Sequence, residues 1–228
     1  MSYVLDSYTK LYIPFNGTDG DTDDQTALTG QTVSLEGNAC LDTAQKKNGT
    51  ASLLLDSTLT QDYATVPDSD DWNFGTGDFT IDGYFRFSSL PSTSSKCTFV
   101  SQYEDGVASW YLAYDNNWSG YGKVLILSSS VGSLYASWEP SINTWYHIEV
   151  DRSGSSGYLF IEGTPLTIAA NTIAANAMPN VGAALQLGAY NTGWNLNGWI
   201  DSPRIHKGIA RHTTNFSPPN EASFLGLF

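Results

Sequence analysis

Asp68-Ser-Asp-Asp-Trp72-Asn-Phe-Gly75-Thr-Gly77-Asp-Phe79-Thr-Ile-Asp82 runs directly into Gly83-Tyr-Phe-Arg-Phe87. The Gly75 and Gly77 breakers predict a tight turn. Beyond it, Phe79, Ile81, Phe85 and Phe87 alternate with Thr80, Asp82, Tyr84 and Arg86. Alternation with a period of two puts the first set on one face and the second on the other, which predicts a half-buried β-strand in an antiparallel sheet. Similar signals recur about every ten residues, separated by Asn, Gly, Asp and Ser clusters, which is the rhythm of a sandwich or barrel.

Further strands are expected at 10–15, 33–36, 39–42, 52–56, 63–66, 97–103, 110–114, 124–128, 134–137, 145–152, 157–161, 185–189 and 198–206. No amphipathic helix of three or more turns is evident. Thr167-Ile-Ala-Ala-Asn171 repeats at once as Thr172-Ile-Ala-Ala-Asn176. Two copies of five residues are too few for a solenoid and predict a loop or one short helical turn. The expectation is one all-β domain over 228 residues, with 1–9 and 217–228 as terminal extensions. The apolar tip Phe224-Leu-Gly-Leu-Phe228 is expected to pack back on the sandwich.

The net charge of −13 is uneven. Residues 1–85 hold 14 acids against three bases, and the remainder nine against seven. Phosphate binding needs clustered Lys and Arg, so nucleic acid is excluded as a partner. No apolar run approaches the ~20 residues of a membrane span, and the first residues lack the basic start and apolar core of a secretory signal. On that ground Cys40 and Cys97 are expected as free thiols, and the Asn-x-Ser/Thr triplets at Asn16, Asn48, Asn117 and Asn215 as unglycosylated.

Four segments in order give the chain a family resemblance: Phe15-Asn-Gly-Thr-Asp19, Asp68 to Asp82, Thr144-Trp-Tyr-His147, and Gly198-Trp-Ile-Asp-Ser-Pro-Arg-Ile-His-Lys-Gly-Ile-Ala-Arg211 with its continuation Asn215-Phe-Ser-Pro-Pro219. Together they resemble the laminin-G-like branch of the concanavalin A-like lectin/glucanase superfamily. The Asp71-to-Asp82 and Lys207-to-Arg211 versions are similar to domains common in bacteriophage virion proteins. The resemblance implies a jelly-roll β-sandwich of two packed antiparallel sheets.

It also frames the candidate chemistry. Glucanases of the superfamily use alternate carboxylates on one strand, Glu-x-Asp-x-Glu. Glu149-Val-Asp151 lacks the third acid, and its polar face, shared with His147, is expected to be solvated, with His147 as a packing residue. Laminin-G-like domains often bind calcium on the sandwich rim. The acidic loop offers Asp19, Asp21, Asp23 and Asp24, and Asp201 keeps a family position. The loop departs from an EF-hand at its sixth and twelfth positions, Asp24 and Gly30, and Thr26-Ala-Leu-Thr-Gly30 replaces the family's usual Asp-Ser-Ser-Gly run.

Of the seven Trp, Trp72, Trp110, Trp145 and Trp199 fall in strand or turn motifs and are expected in the core. Trp118 and Tyr121, in Asp115-Asn-Asn-Trp-Ser-Gly-Tyr-Gly122, and Trp194, in Asn191-Thr-Gly-Trp-Asn195, fall in polar loops. Large rings there suit either stacking on sugars or a subunit interface. The resulting expectation is a non-enzymatic phage or virus structural protein: a tail-fibre, appendage or head-decoration subunit. It would assemble in the host cytoplasm as a homo-oligomer with other virion proteins and present a lectin-like surface to host-cell glycans. A free-standing bacterial carbohydrate-binding module, and a glycoside hydrolase or polysaccharide lyase, are the alternatives.

Overall fold

A computed structural model describes residues 5–57, 61–191 and 193–219. In chain order the strands are β1 Thr9–Tyr12, β2 Gln25–Thr26, β3 Thr32–Glu36, β4 Cys40–Asp42, β5 Ser52–Leu55, β6 Tyr63–Val66, β7 Phe79–Phe87, β8 Lys96–Glu104 and β9 Ala108–Asp115. They continue as β10 Val124–Ser129, β11 Gly132–Ser137, β12 Trp145–Ser153, β13 Ser156–Ile161, β14 Thr164–Pro165, β15 Ile168–Asn171, β16 Leu185–Leu187 and β17 Gly198–Lys207. Among the described residues the one helical element is a 3₁₀ turn, Asp70–Trp72, capped by the Ser69 side chain.

The strands form two antiparallel sheets. An eight-stranded sheet has the order β14-β13-β12-β7-β17-β5-β4, with β1 also paired to β17. A nine-stranded sheet has the order β15-β11-β10-β9-β8-β16-β6-β3-β2. The expected jelly-roll sandwich is therefore present. Its core is built from the alternate inward residues of both sheets, including Phe79, Ile81, Phe85, Phe87, Phe99, Trp110, Leu112, Leu125, Leu127, Ile148, Val150 and Ile200.

Gly198 is required where β17 meets β7. A Cβ there would lie 1.9 Å from the Arg86 carbonyl oxygen, and φ is +154°. Further along β17, the pairing with β7 slips between Asp201 and Arg204, where Ser202 has φ 52°. The slip exchanges the two faces of the strand, so Asp201, Arg204 and His206 all point outward.

Three expectations change. β7 is not half-buried, because Thr80, Asp82 and Tyr84 are as inaccessible as the phenylalanines. The polar face of β12 is not solvated either, with His147, Glu149 and Asp151 fully buried. The segment after β17 folds back over both. The first copy of the repeat is strand β15, and only the second turns back, burying Ile173. Trp72 and Trp110 are fully buried, whereas Trp145 and Trp199 are half-buried. Cys40 and Cys97 lie in different sheets and are not bridged. The apolar tip at 224–228 lies outside the described residues.

Candidate functional site

The loop aromatics converge on the outer face of the nine-stranded sheet. In β9 the core takes Trp110, Leu112 and Tyr114, so Tyr111, Ala113 and Asp115 point outward. In β10 and β11 the same alternation turns Val124, Ile126 and Tyr135 outward. These residues form a second apolar cluster, separate from the core, against which Trp118 and Tyr190 pack.

The two loops that carry the other rings are sharply turned. Trp118 N–H donates to the Gly122 carbonyl at 2.9 Å, and Ser119, Gly120 and Gly122 all have positive φ. In the second loop Tyr190 and Gly193 exchange backbone bonds of 3.0 and 3.1 Å. Trp194 then sits at φ 49°, with its carbonyl accepting from Thr98 N–H at 2.8 Å. A bulky residue in the left-handed region is an outlier that costs about 1–2 kcal/mol. Such strain persists where the surroundings hold it, and it gathers at ligand-contacting positions.

The rings are continuous. Trp194 stacks on Tyr190 (centroids 4.7 Å, 16°), and Tyr190 meets Tyr103 and Tyr111 edge-on, each at 5.0 Å. Lys96 Nζ lies 4.5 Å from the Trp194 ring centre and 5.0 Å from that of Trp118, and pairs with Asp115 at 2.8 Å. Trp118 and Tyr121 both lean on Tyr135, at 6.1 and 5.2 Å. Tyr121 is 63% exposed and Trp194 37%. The Lys96–Asp115 pair balances the charge at the centre of the patch, so the surface there offers rings and a few hydrogen-bonding groups. Trp118, Tyr121 and Trp194 were legible as loop aromatics. Lys96, Tyr111, Tyr135 and Tyr190 were not, and the one available signal was the continuous run Trp110-Tyr-Leu-Ala-Tyr114, too apolar for a strand with one wet face.

The aspartates do not converge. Asp19 accepts from Thr43 N–H (3.0 Å), and Asp21 accepts from Asp23 N–H (2.9 Å). Asp201 is buried, and its Oδ2 accepts from the amides of Lys47 and Asn48 at 2.7 and 2.8 Å. Burial pushes its pKa up to about 6 despite those bonds. Among the described residues no three of Asp19, Asp21, Asp23, Asp24 and Asp201 bring side-chain oxygens within reach of one ion.

A third constellation lies on the outer face of the eight-stranded sheet, under residues 209–219. Asp82 is held by Arg204 and by His147 Nε2 at 3.0 Å. Burial opposes its charge, but the Arg204 guanidinium and the His147 bond hold the carboxyl well below its ordinary range. Burial lowers His147 and His206, the latter to about 3. Glu149 is pushed up to about 8 by burial and then by the Asp82 charge, and Asp151 to about 10 by burial and then by Glu149. Tyr84 donates its hydroxyl to the Pro219 carbonyl, and Phe216 covers His212. Glu149 and Asp151 are therefore buried beneath the segment after β17.

No curated protein matches the sequence. Solved structures of similar shape include domain 4 of AbnA, a GH43 extracellular arabinanase from Geobacillus stearothermophilus, in complex with arabinotriose (TM-score 0.66, 15% identity, 89% of this chain and 93% of that one). The binding domain of Paraclostridial Mosquitocidal Protein 1 is similar at TM-score 0.65 and 14% identity, over 90% of this chain and 50% of that one. The binding domain of botulinum neurotoxin DC in complex with SialylT gives 0.62 and 15%, over 89% and 49%. This chain thus spans about half the length of the two toxin binding domains. At these identities the likeness is one of fold. The family profile of the concanavalin A-like lectin/glucanases superfamily, in its third laminin-G form, matches residues 56–212, more than two-thirds of the sequence, and the chain belongs to that superfamily.

Proposed function

We propose that this chain is a non-catalytic glycan-binding domain whose contact surface is the Trp118–Tyr121–Trp194 patch. The observation that carries the reading is the convergence of these rings, from two loops far apart in sequence, on one outer face around the Lys96–Asp115 pair. Sugars present apolar C–H faces to aromatic rings and hydroxyls to flanking polar groups. The strained backbone at Trp194 supports the same reading, because glycine there would relieve it. Arabinotriose and SialylT on domains of this fold are consistent with a glycan ligand. The burial of Glu149 and Asp151 speaks against hydrolysis, which needs both carboxyls beside the scissile bond.

The biological setting we propose is a phage or virus appendage. The support is the likeness of the Asp71–Asp82 and Lys207–Arg211 motifs to virion domains. In that setting the chain is a homo-oligomer docked on other virion proteins, and many weak contacts with host glycans add through effective concentration.

The test is an array of bacterial surface polysaccharides probed with the purified chain, Trp118→Ala and Trp194→Ala, together with immunogold imaging of particles from the source. Array binding lost in both variants supports the patch. Binding that both variants retain, or none on any glycan, refutes it. Labelled particles support the virion setting, and binding without labelled particles favours a free-standing module.

A further inference from the structure

Glu149 and Asp151 are two residues apart on β12 and therefore point to the same side. Both are fully buried. His212 reaches them from the segment after β17, its Nδ1 2.6 Å from Glu149 Oε1. One ligand atom from each of the three lies within 4.8 Å of the others. Oxygens and nitrogens bound at about 2.0–2.2 Å around one ion stand roughly 3–4 Å apart, so the three lie near enough to close on one ion once the 2.6 Å His212–Glu149 hydrogen bond opens.

Two observations point to a cation beyond the cluster itself. Glu149 Oε2 and Asp151 Oδ2 are shut off from solvent and accept from no N–H or hydroxyl donor, which leaves the two carboxyls only each other. Burying such oxygens without compensation is costly. The arginines nearby are also committed elsewhere: Arg204 to Asp82, and Arg211 to Asp6 through two bonds of 2.9 and 2.7 Å. The other oxygen of Asp151 is oriented by Thr80 Oγ1 and by the Arg211 N–H at 2.8 Å. Phe216 lies flat on the His212 ring (3.5 Å, 8°) and fixes its plane. Outer contacts of this kind are what aim metal ligands. The neighbouring trio of Asp82, His147 and Glu149 does not qualify, because Asp82 is already neutralised by Arg204.

We propose that Glu149, Asp151 and His212 bind one divalent transition-metal ion, which staples the segment after β17 onto the eight-stranded sheet. One imidazole nitrogen and two carboxylates suit Zn²⁺, Co²⁺ or Ni²⁺. Calcium, which takes six to eight oxygens, does not match the set. Two carboxylates and a divalent ion leave the buried centre neutral. The His212 side chain is 21% exposed, which gives the ion a route in and a water to complete its coordination.

The full chain is stripped with a chelator and titrated calorimetrically with ZnCl₂, CoCl₂ and CaCl₂, following cobalt by its visible absorption. One Zn²⁺ or Co²⁺ is expected per chain, with no calcium binding. The melting temperature should rise by about 5–10 °C at a hundredfold excess of Zn²⁺ over Kd. His212→Ala and the isosteric double variant Glu149→Gln/Asp151→Asn should abolish both effects and leave the far-ultraviolet spectrum and any glycan binding unchanged. Failure of the folded wild type to bind one Zn²⁺ or Co²⁺ overturns the proposal, whatever the variants do. Stoichiometric binding that survives in both variants overturns it equally, because the ion then sits elsewhere.

Discussion

In the metal-free chain the carboxyls of Glu149 and Asp151 must keep protons that the unfolded chain releases. Burial raises them to about 8 and about 10, whereas free carboxyls lose theirs near pH 4. Stability is therefore full below about pH 4 and falls as pH rises toward the folded values. Each proton retained makes it fall by about 1.4 kcal/mol per pH unit. The window from pH 7 to pH 8 is dominated by the pair. Asp82 is ionised there because of Arg204, and His147, His206 and His212 are held neutral by burial. Asp201, at about 6, has already ionised. For a chain of 228 residues one retained proton lowers the melting temperature by about 3–5 °C across that unit, and two protons by about twice as much. Calorimetry in chelator at half-unit steps measures the slope, and Glu149→Gln/Asp151→Asn should flatten it. A wild-type curve that is level or rising between pH 7 and 8, or an equal slope in the double variant, refutes the reasoning.

Tyr121→Ala separates binding from folding. The ring is 63% exposed, so urea unfolding should move by less than about 0.5 kcal/mol while affinity for a bound glycan falls about tenfold or more. Gly198→Ala forces a Cβ to within 1.9 Å of the Arg86 carbonyl oxygen, and should cost about 2–4 kcal/mol by the same assay. Phe216→Ala removes the ring that covers His212 and meets Phe160 at 5.3 Å, and should cost about 2 kcal/mol with a far-ultraviolet spectrum still dominated by strand.

The sandwich was legible because its core obeys the alternation rule. β6 and β7 fall at the predicted residues, and the other long strands within one or two positions. Three short strands were missed. β2, β14 and β15 lie at sheet margins, have two to four residues and carry no apolar rhythm. The buried outer face of the eight-stranded sheet was invisible for a different reason. Thr80, Asp82, His147, Glu149 and Asp151 read as wet residues, and only the return of Arg211, His212 and Phe216 over them turns that face into an interior. The aromatic patch was half legible. Local composition marked Trp118, Tyr121 and Trp194 as out of place in polar loops, but their meeting around Lys96 depends on how β8, β9 and β16 are ordered in the sheet, which no local pattern encodes.

Asp6 and Arg211 lie 205 positions apart and are joined by two hydrogen bonds on the outer side of the eight-stranded sheet. The exposed rings look out from the opposite broad side of the sandwich. The molecule is thus polarised like a plug and its face. The Asp6–Arg211 clasp thus sits at the rear and leaves the front unobstructed. A sensor chip that couples the chain through a single residue introduced on the rear face should present every copy with its rings free.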